Sequence, residues 1–195
     1  LTTITENNEI AIKHFLDSLV FLSEYDLISE SKLIDVGTGA GFPGLVLKIF
    51  RPDLDVTLVD SLEKRVKFLK KVSAAFHVTP NCIHSRAEEL SRNEAYREKF
   101  DIAISRAVAK LNILAEYDMP FVKIGGMFIA MKGPAAYDEI KDSESAIHQL
   151  GGKVHQVKEF VLPDNSTRVV IFIRKLFSTS EKYPRRSAKI SKQPL

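Results

Sequence analysis

Cysteine is nearly absent from this chain. Cys82 is the only one among 195 residues, which excludes an internal disulfide and any metal site built from clustered cysteines. A single thiol fits a reducing compartment, so a cytoplasmic location is expected. No apolar run reaches the roughly 18 residues a membrane-spanning helix needs, and no signal-peptide pattern opens the sequence. Position 1 is leucine, from which we expect that Leu1 is not the natural start. Internal repeats and long Pro/Gly/Ser linkers are missing too. With 45% hydrophobic and 27% charged residues, the composition is that of an ordinary globular protein, which excludes a disordered chain. The length suits one domain with a sizeable core.

Acidic residues are missing from one stretch. Residues 182–195 hold Lys182, Arg185, Arg186, Lys189 and Lys192 and no acid, although the whole chain is only +3, so the remainder is net −2. A basic tail on a slightly acidic body suits a polyanionic partner, while a solvated terminus is the plainer reading. The expected organisation is a helical segment over residues 1–30, an α/β domain over 31–177 and the basic tail over 178–195.

Hydrophobic spacing sets the element order. Thr5 is placed to cap a helix reaching about Leu22, with Ile12, Phe15, Leu16, Leu19 and Leu22 on its apolar face. Strands are expected over 33–36, 55–59, 82–84, 101–104 and 127–131. Helices are expected over 43–50, 62–76, 111–122 and 137–150, with Gly125-Gly126 as a turn before residue 127. On the helix over 62–76, Val66, Leu69, Val72 and Phe76 share a face. Two further strands, over 154–161 and 169–173, are joined by the turn Pro163-Asp164-Asn165. Alternating strand and helix implies a doubly wound parallel sheet. The last two strands are too closely joined for a parallel crossover, so one of them is expected to run antiparallel. A mostly parallel sheet with one antiparallel strand near the C-terminus is the class I methyltransferase pattern, whereas a dehydrogenase-type Rossmann sheet is parallel throughout. Phe128, Phe160 and Phe172 alternate within strands and are expected in the core.

The densest motif is Asp35-Val36-Gly37-Thr38-Gly39-Ala40-Gly41-Phe42-Pro43-Gly44, between a strand and a helix. Counted from Gly37 it reads Gly-x-Gly-x-Gly after an acid, the S-adenosylmethionine pattern. Counted from Gly39 it reads Gly-x-Gly-x-x-Gly, the dinucleotide fingerprint. The strand ends at Val36, which makes Gly37 the natural first glycine. Asp35 would also repel a pyrophosphate, yet it suits an ammonium or the loop's own amides. Asp60, at the end of the second strand, suits the ribose hydroxyls of either cofactor, with a cap for the following helix as the alternative. Two acceptor chemistries lack their residues. No Asn/Asp-Pro-Pro-aromatic stretch is present for adenine amine methylation. No Pro-Cys pair is present for cytosine C5 methylation, since Cys82 follows Asn81.

Taken in order, the motifs resemble the bacterial small-subunit rRNA guanine-N7 methyltransferase family (small-subunit methyltransferase G, or glucose-inhibited division protein B). The matching pieces run from Leu1-Thr2-Thr3-Ile4 and Lys13-His14-Phe15-Leu16-Asp17-Ser18 through the glycine motif with its Gly-Phe-Pro-Gly ending. They continue with Leu58-Val59-Asp60-Ser61, Lys64-Arg65, Phe68-Leu69, Arg86-Ala87-Glu88-Glu89 and Ser105-Arg106-Ala107-Val108-Ala109. The last are Lys132-Gly133, Arg168, Arg174-Lys175 and Tyr183-Pro184-Arg185-Arg186. Against the family pattern, the usual helical arm would stand before Leu1, where this sequence begins, Ser187-Ala188 replaces Pro-Gly, and Ser85 stands where glycine is common.

The resemblance implies a class I fold and methyl transfer from S-adenosylmethionine to N7 of a guanosine in the 530 loop of 16S rRNA. Nothing in the sequence suggests an obligate dimer or protein partner, so a monomer is expected. The resemblance also implies that Gly37, Gly39, Gly41 and Phe42 line the donor, that Ala87 and Glu88 lie beside its adenine, and that Asp35 and Asp60 complete that site. Arg106 falls at the mouth, both as a donor neighbour and as the candidate catalytic residue. We expect Arg106 to hold an RNA phosphate or the guanine O6 edge, with a structural ion pair as the alternative. His14, Lys132, Arg168, Arg185 and Arg186 are the candidate RNA contacts. His14 and Asp17, three residues apart, share a helix face with Ser18. Two other functions stay open at this point: a nicotinamide-dependent oxidoreductase using Gly39–Gly44, and a non-catalytic RNA-binding protein.

Overall fold

The computed structural model describes residues 7–106 and 109–195. Residues 1–4, the Thr5 cap, and Ala107 and Val108 of the Ser-Arg-Ala-Val-Ala motif lie outside the described residues.

Seven strands form one sheet in the order β3-β2-β1-β4-β5-β7-β6. The strands are β1 (Lys32–Val36), β2 (Asp55–Asp60), β3 (Asn81–His84), β4 (Phe100–Ser105), β5 (Val122–Lys132), β6 (Gly152–Val161) and β7 (Thr167–Lys175). Pairing is parallel from β3 across to β5, and β7 pairs antiparallel with both β5 and β6. One inserted antiparallel strand is what the short β6–β7 connection demands.

Both faces of the sheet are covered, because alternate strand residues point to opposite sides. Ile102 and Ile104 of β4 pack with α3 (Gly44–Phe50), α4 (Glu63–Ala75) and Phe21 of the N-terminal helix. Ala103 between them packs toward α6 (Leu111–Asp118) and α7 (Ala136–Gln149). Phe128 and Phe172 are fully buried, and Phe160 packs partly buried against the first of these clusters.

Four local expectations need correction. The N-terminal helix is not uniform: α1 (Asn7–Ile10), a π-helical turn (Ala11–Leu16), α2 (Asp17–Leu19) and a 3-10 turn (Val20–Ser23) follow one another. Phe76 lies outside α4's buried face and is exposed, because α4 ends at Ala75. Helix α6 stops at Asp118 instead of reaching residue 122, since Pro120 cannot continue it and a 3-10 turn (Met119–Phe121) leads straight into β5. Gly125 and Gly126 do not end a loop; they sit inside β5 at a register shift, with Gly125 at φ 82°.

The basic tail is docked. Ile190 of α8 (Ser187–Lys192) is fully buried and Tyr183 nearly so. Burying such side chains contributes about 1.5–3 kcal/mol each, enough to hold a six-residue helix that would not form alone.

Candidate active site

The site lies at the C-terminal ends of β1, β2 and β4, where open α/β sheets bind ligands. The loop after β1 carries Gly37, Gly39 and Gly41 at φ 72°, 61° and 102°. A Cβ on Gly41 would lie 2.8 Å from Leu45 Cβ. One on Gly44 would lie 2.6 Å from Asp35 Cβ and 2.7 Å from its Oδ2, so the loop and β1 touch only because these residues have no side chain. Asp35 is fully buried beneath the loop, where its Oδ2 accepts the Gly44 N–H at 2.8 Å. Of its two expected roles, holding loop amides is the one made. Burial raises its pKa to about 6, against the lowering effects of the Thr38 hydroxyl and the Gly44 N–H.

Above the loop is a cavity of about 270 Å³, lined among others by Gly37, Asp60, Ala87, Glu88, Tyr117 and Asp118. Asp60 closes β2. Its Oδ2 accepts the Gly39 N–H at 3.0 Å and meets Arg65 at 3.2 Å, and its Oδ1 accepts the Leu62 N–H at 2.9 Å. Asp60 thus braces the turn into α4 while lining the cavity. Ala87 and Glu88 open α5 (Ala87–Leu90). Asp118 ends α6, fully buried, and neither of its oxygens has a hydrogen-bond partner of good geometry among the described residues. Burial first, and the charge of Asp35 second, hold its pKa well above the usual carboxylate range, with the Ser105 hydroxyl opposing.

A second cavity, of about 380 Å³, opens on the other side and is lined in part by Asp17, Arg106, Lys132, Glu139 and Arg168. Buried Asp17 bridges two arginines. Arg106 donates to its Oδ2 at 2.9 Å and Arg168 Nε to its Oδ1 at 3.0 Å. Arg106 also donates to the Lys13 carbonyl at 3.2 Å and lies over the Phe42 ring, 5.1 Å from its centroid. His14 stacks on the same ring at 4.7 Å, and burial lowers its pKa. The π-helical turn, of a kind frequent at functional sites, carries His14 to the loop, and Asp17 follows it as the first residue of α2. Lys132 Nζ donates to the Ala109 carbonyl at 2.6 Å and pairs with Glu139 Oε2 at 2.9 Å. Glu139 Oε2 in turn accepts the Leu111 N–H at 2.8 Å.

The expected donor residues therefore divide. Gly37, Asp60, Ala87 and Glu88 line the first cavity, and Gly39 adjoins it through Asp60. Gly41 and Phe42 face an apolar groove against His14 and Phe15. Arg106 faces the second cavity, with Lys132 and Arg168. Among the tail residues, Arg185 forks onto buried Glu116 at 2.6 and 2.8 Å, while Arg186 lines an open cleft beside Arg86 and Arg92. The reading by spacing missed Tyr117, Asp118, Glu116 and Glu139. Asp118 carries a local signal: with Glu116 it is one of two acids set between the apolar runs 113–115 and 119–122.

Lining acids Asp60, Glu88 and Asp118 against the single cation Arg86 give the first cavity an acidic cast. Such a lining fits a cationic, ribose-bearing donor and opposes a pyrophosphate. Strand order, the one antiparallel strand and this glycine loop together define a class I methyltransferase, and the nicotinamide reading is set aside because β7 breaks the all-parallel sheet.

The family profile described as "GidB: rRNA small subunit methyltransferase G" matches residues 1–170. A ribosomal RNA small subunit methyltransferase G of Alkaliphilus metalliredigens is 50% identical over 197 residues, spanning 100% of this chain and 82% of the relative. One of Leuconostoc mesenteroides is 49% identical over 198 residues, spanning 100% and 83%. Among solved structures, a 16S rRNA (adenine(1408)-N(1))-methyltransferase mutant from Catenulisporales acidiphilia superposes with a TM-score of 0.60 at 19% identity, covering 80% of this chain and 88% of that one. A geranyl diphosphate C-methyltransferase from Streptomyces coelicolor, in complex with S-adenosyl-L-homocysteine, gives 0.63 at 11% identity, covering 83% and 79%. The structural likenesses speak to the fold alone. This chain belongs to the rRNA small subunit methyltransferase G family and is an S-adenosylmethionine-dependent methyltransferase. Among the described residues no helix is long and apolar enough to cross a membrane.

Proposed function

We propose that this chain methylates N7 of a guanosine in the 530 loop of 16S rRNA, acting as a cytoplasmic monomer on the small ribosomal subunit or its rRNA. The observation that carries this reading is the second cavity. Three cations, Arg106, Lys132 and Arg168, line it beside the glycine loop, and both of its acids, Asp17 and Glu139, are tied to those cations. Guanine N7 suits such a site because its in-plane lone pair attacks without losing a proton, so no general base is needed. S-adenosylmethionine supplies the electrophilic methyl group. The chain's own work is to align acceptor and donor, and positioning alone lowers a barrier by about 7–11 kcal/mol.

On this reading Gly37, Gly39, Asp60, Ala87 and Glu88 hold the donor, with Asp35, Gly41 and Phe42 shaping the loop. Arg106 faces the acceptor, where a guanidinium matches guanine O6 or a phosphate. The ion pair to Asp17 leaves the planar fork oriented and ready for an anion. Lys132, Arg168 and His14 flank it, and Arg186 extends the basic track. Arg185 serves that track by pinning the tail to Glu116.

The test is methyl transfer from labelled S-adenosylmethionine to small subunits lacking the modification, followed by borohydride and aniline cleavage, which cuts at N7-methylguanosine. A single cut in the 530 loop is the expected result. Label at another base or another guanine position overturns the reading.

A further inference from the structure

Asp118 is used by nothing described so far, yet it is fully buried, lines the proposed donor cavity, and has no hydrogen-bond partner of good geometry on either oxygen among the described residues. A carboxyl group so placed costs stability when ionised unless a counter-charge or donor reaches it. Among the described residues its immediate neighbours supply no counter-charge. Ser105 of β4 offers only a hydroxyl, and Asp35 of β1 is an acid that works against ionisation. Farther around the cavity are Asp60 on β2, Arg86 and Glu88 at the start of α5, Tyr117 on its own helix, and Ser187 from the tail. Arg86 is the one cation in that lining, and its nearest acid is Glu88 at 3.9 Å.

We propose that Asp118 is a donor-binding residue that stands as a neutral acid in the free protein and gives up its proton when the donor's positive charge enters the cavity. The proton passes to solvent, and the carboxylate left behind faces the donor cation. That cation is either the α-ammonium, which the donor shares with the product S-adenosylhomocysteine, or the sulfonium, which only the donor has. The inference rests on the donor reading of this cavity. It makes donor affinity depend on pH: binding that releases a proton tightens about tenfold per pH unit as long as the free site is protonated. Asp35, with its pKa raised to about 6, is mostly ionised at pH 7 and contributes little there.

Calorimetric titration of the full chain with S-adenosylmethionine at pH 7, in two buffers of different ionisation enthalpy, counts the protons directly. The expected result is close to one proton released per donor bound by the wild type and none by Asp118→Asn. The wild-type affinity should also rise with pH from 6 to 8, while that of the variant stays flat. S-adenosylhomocysteine forms the second arm. Proton release with both ligands assigns the α-ammonium, and release with the donor alone assigns the sulfonium. If Asp118→Asn does not fold, infrared difference spectra of the wild type decide, because a protonated carboxyl band should disappear on donor binding. Donor binding with no proton release, or release unchanged in Asp118→Asn, overturns the role of Asp118. Failure to bind the donor at all would instead count against the donor reading itself.

Discussion

On the proposed donor side of the glycine loop, Asp60, Glu88 and Asp118 face a cavity with Arg86 as the one cation among its described lining residues. On the proposed acceptor side, Arg106, Lys132 and Arg168 face a cavity whose described acids are bonded to those cations. The two regions lie within one fold, and Phe42 of the loop sits under the Arg106 guanidinium. Their different linings suit what each is proposed to hold. A donor carrying positive charge is met by carboxyl groups, of which Asp118 has no hydrogen-bond partner of good geometry among the described residues, whereas a polyanionic nucleic acid needs cations held ready in fixed directions. Asp17 fixes Arg106 and Arg168 without filling their remaining donors, since each guanidinium has five N–H groups, and Glu139 fixes Lys132.

The most damaging way to break the comparison is at Asp17. Asp17→Ala removes the shared anion of Arg106 and Arg168 and leaves two part-buried cations unpaired. Breaking a buried pair costs about 3–5 kcal/mol, and the arginines' access to solvent puts this site near the lower end. Methyl transfer should fall by more than about a hundredfold, while donor affinity stays within about twofold, as calorimetry and single-turnover transfer would report.

The complementary break is Asp60→Ala, which removes the acceptor for the Gly39 and Leu62 amides and, on the proposed reading, the partner of the donor's ribose. A hydrogen bond to a charged group is worth about 1.5–3 kcal/mol, so donor affinity should drop about ten- to a hundredfold with RNA affinity unchanged.

A third variant sharpens the account of buried acids. Asp35 has its folded-state pKa raised to about 6 from an ordinary 3.8, so its contribution to stability is full below the lower value and is lost as pH rises through the upper one. Thermal unfolding across that window should show the slope in the wild type and a flatter profile in Asp35→Asn. Smallest of all is Arg186→Ala. It should weaken RNA binding a few-fold and reduce the slope of log affinity against log salt by about one, while leaving donor binding alone.

Much of this architecture is legible in the sequence because it is local. Strand periods, the glycine run after Val36 and the short β6–β7 turn are all read from neighbours in the chain. The errors have local physical causes as well: Pro120 ends α6 early, and two glycines that look like a loop are a bulge inside β5. The pairings that organise the site are not local. Asp17 meets Arg106 and Arg168 across 89 and 151 residues, and Arg185 meets Glu116 across 69. One sequence gives no signal for such partners. The docked tail was hidden for a related reason, since its five cations mask the two apolar anchors, Tyr183 and Ile190, that bury it. Family motifs point to Arg106, but only the geometry shows that it lines a different cavity from Asp60, Ala87 and Glu88.

That separation is tested most directly at Arg106 itself. Donor affinity and single-turnover methyl transfer should be measured on Arg106→Ala beside the wild type, with unmodified small subunits as acceptor. The account predicts donor affinity within about twofold of the wild type and transfer reduced at least a hundredfold, the pattern of an interaction made only with the acceptor. Transfer at the wild-type rate, or a loss confined to donor binding, would contradict it.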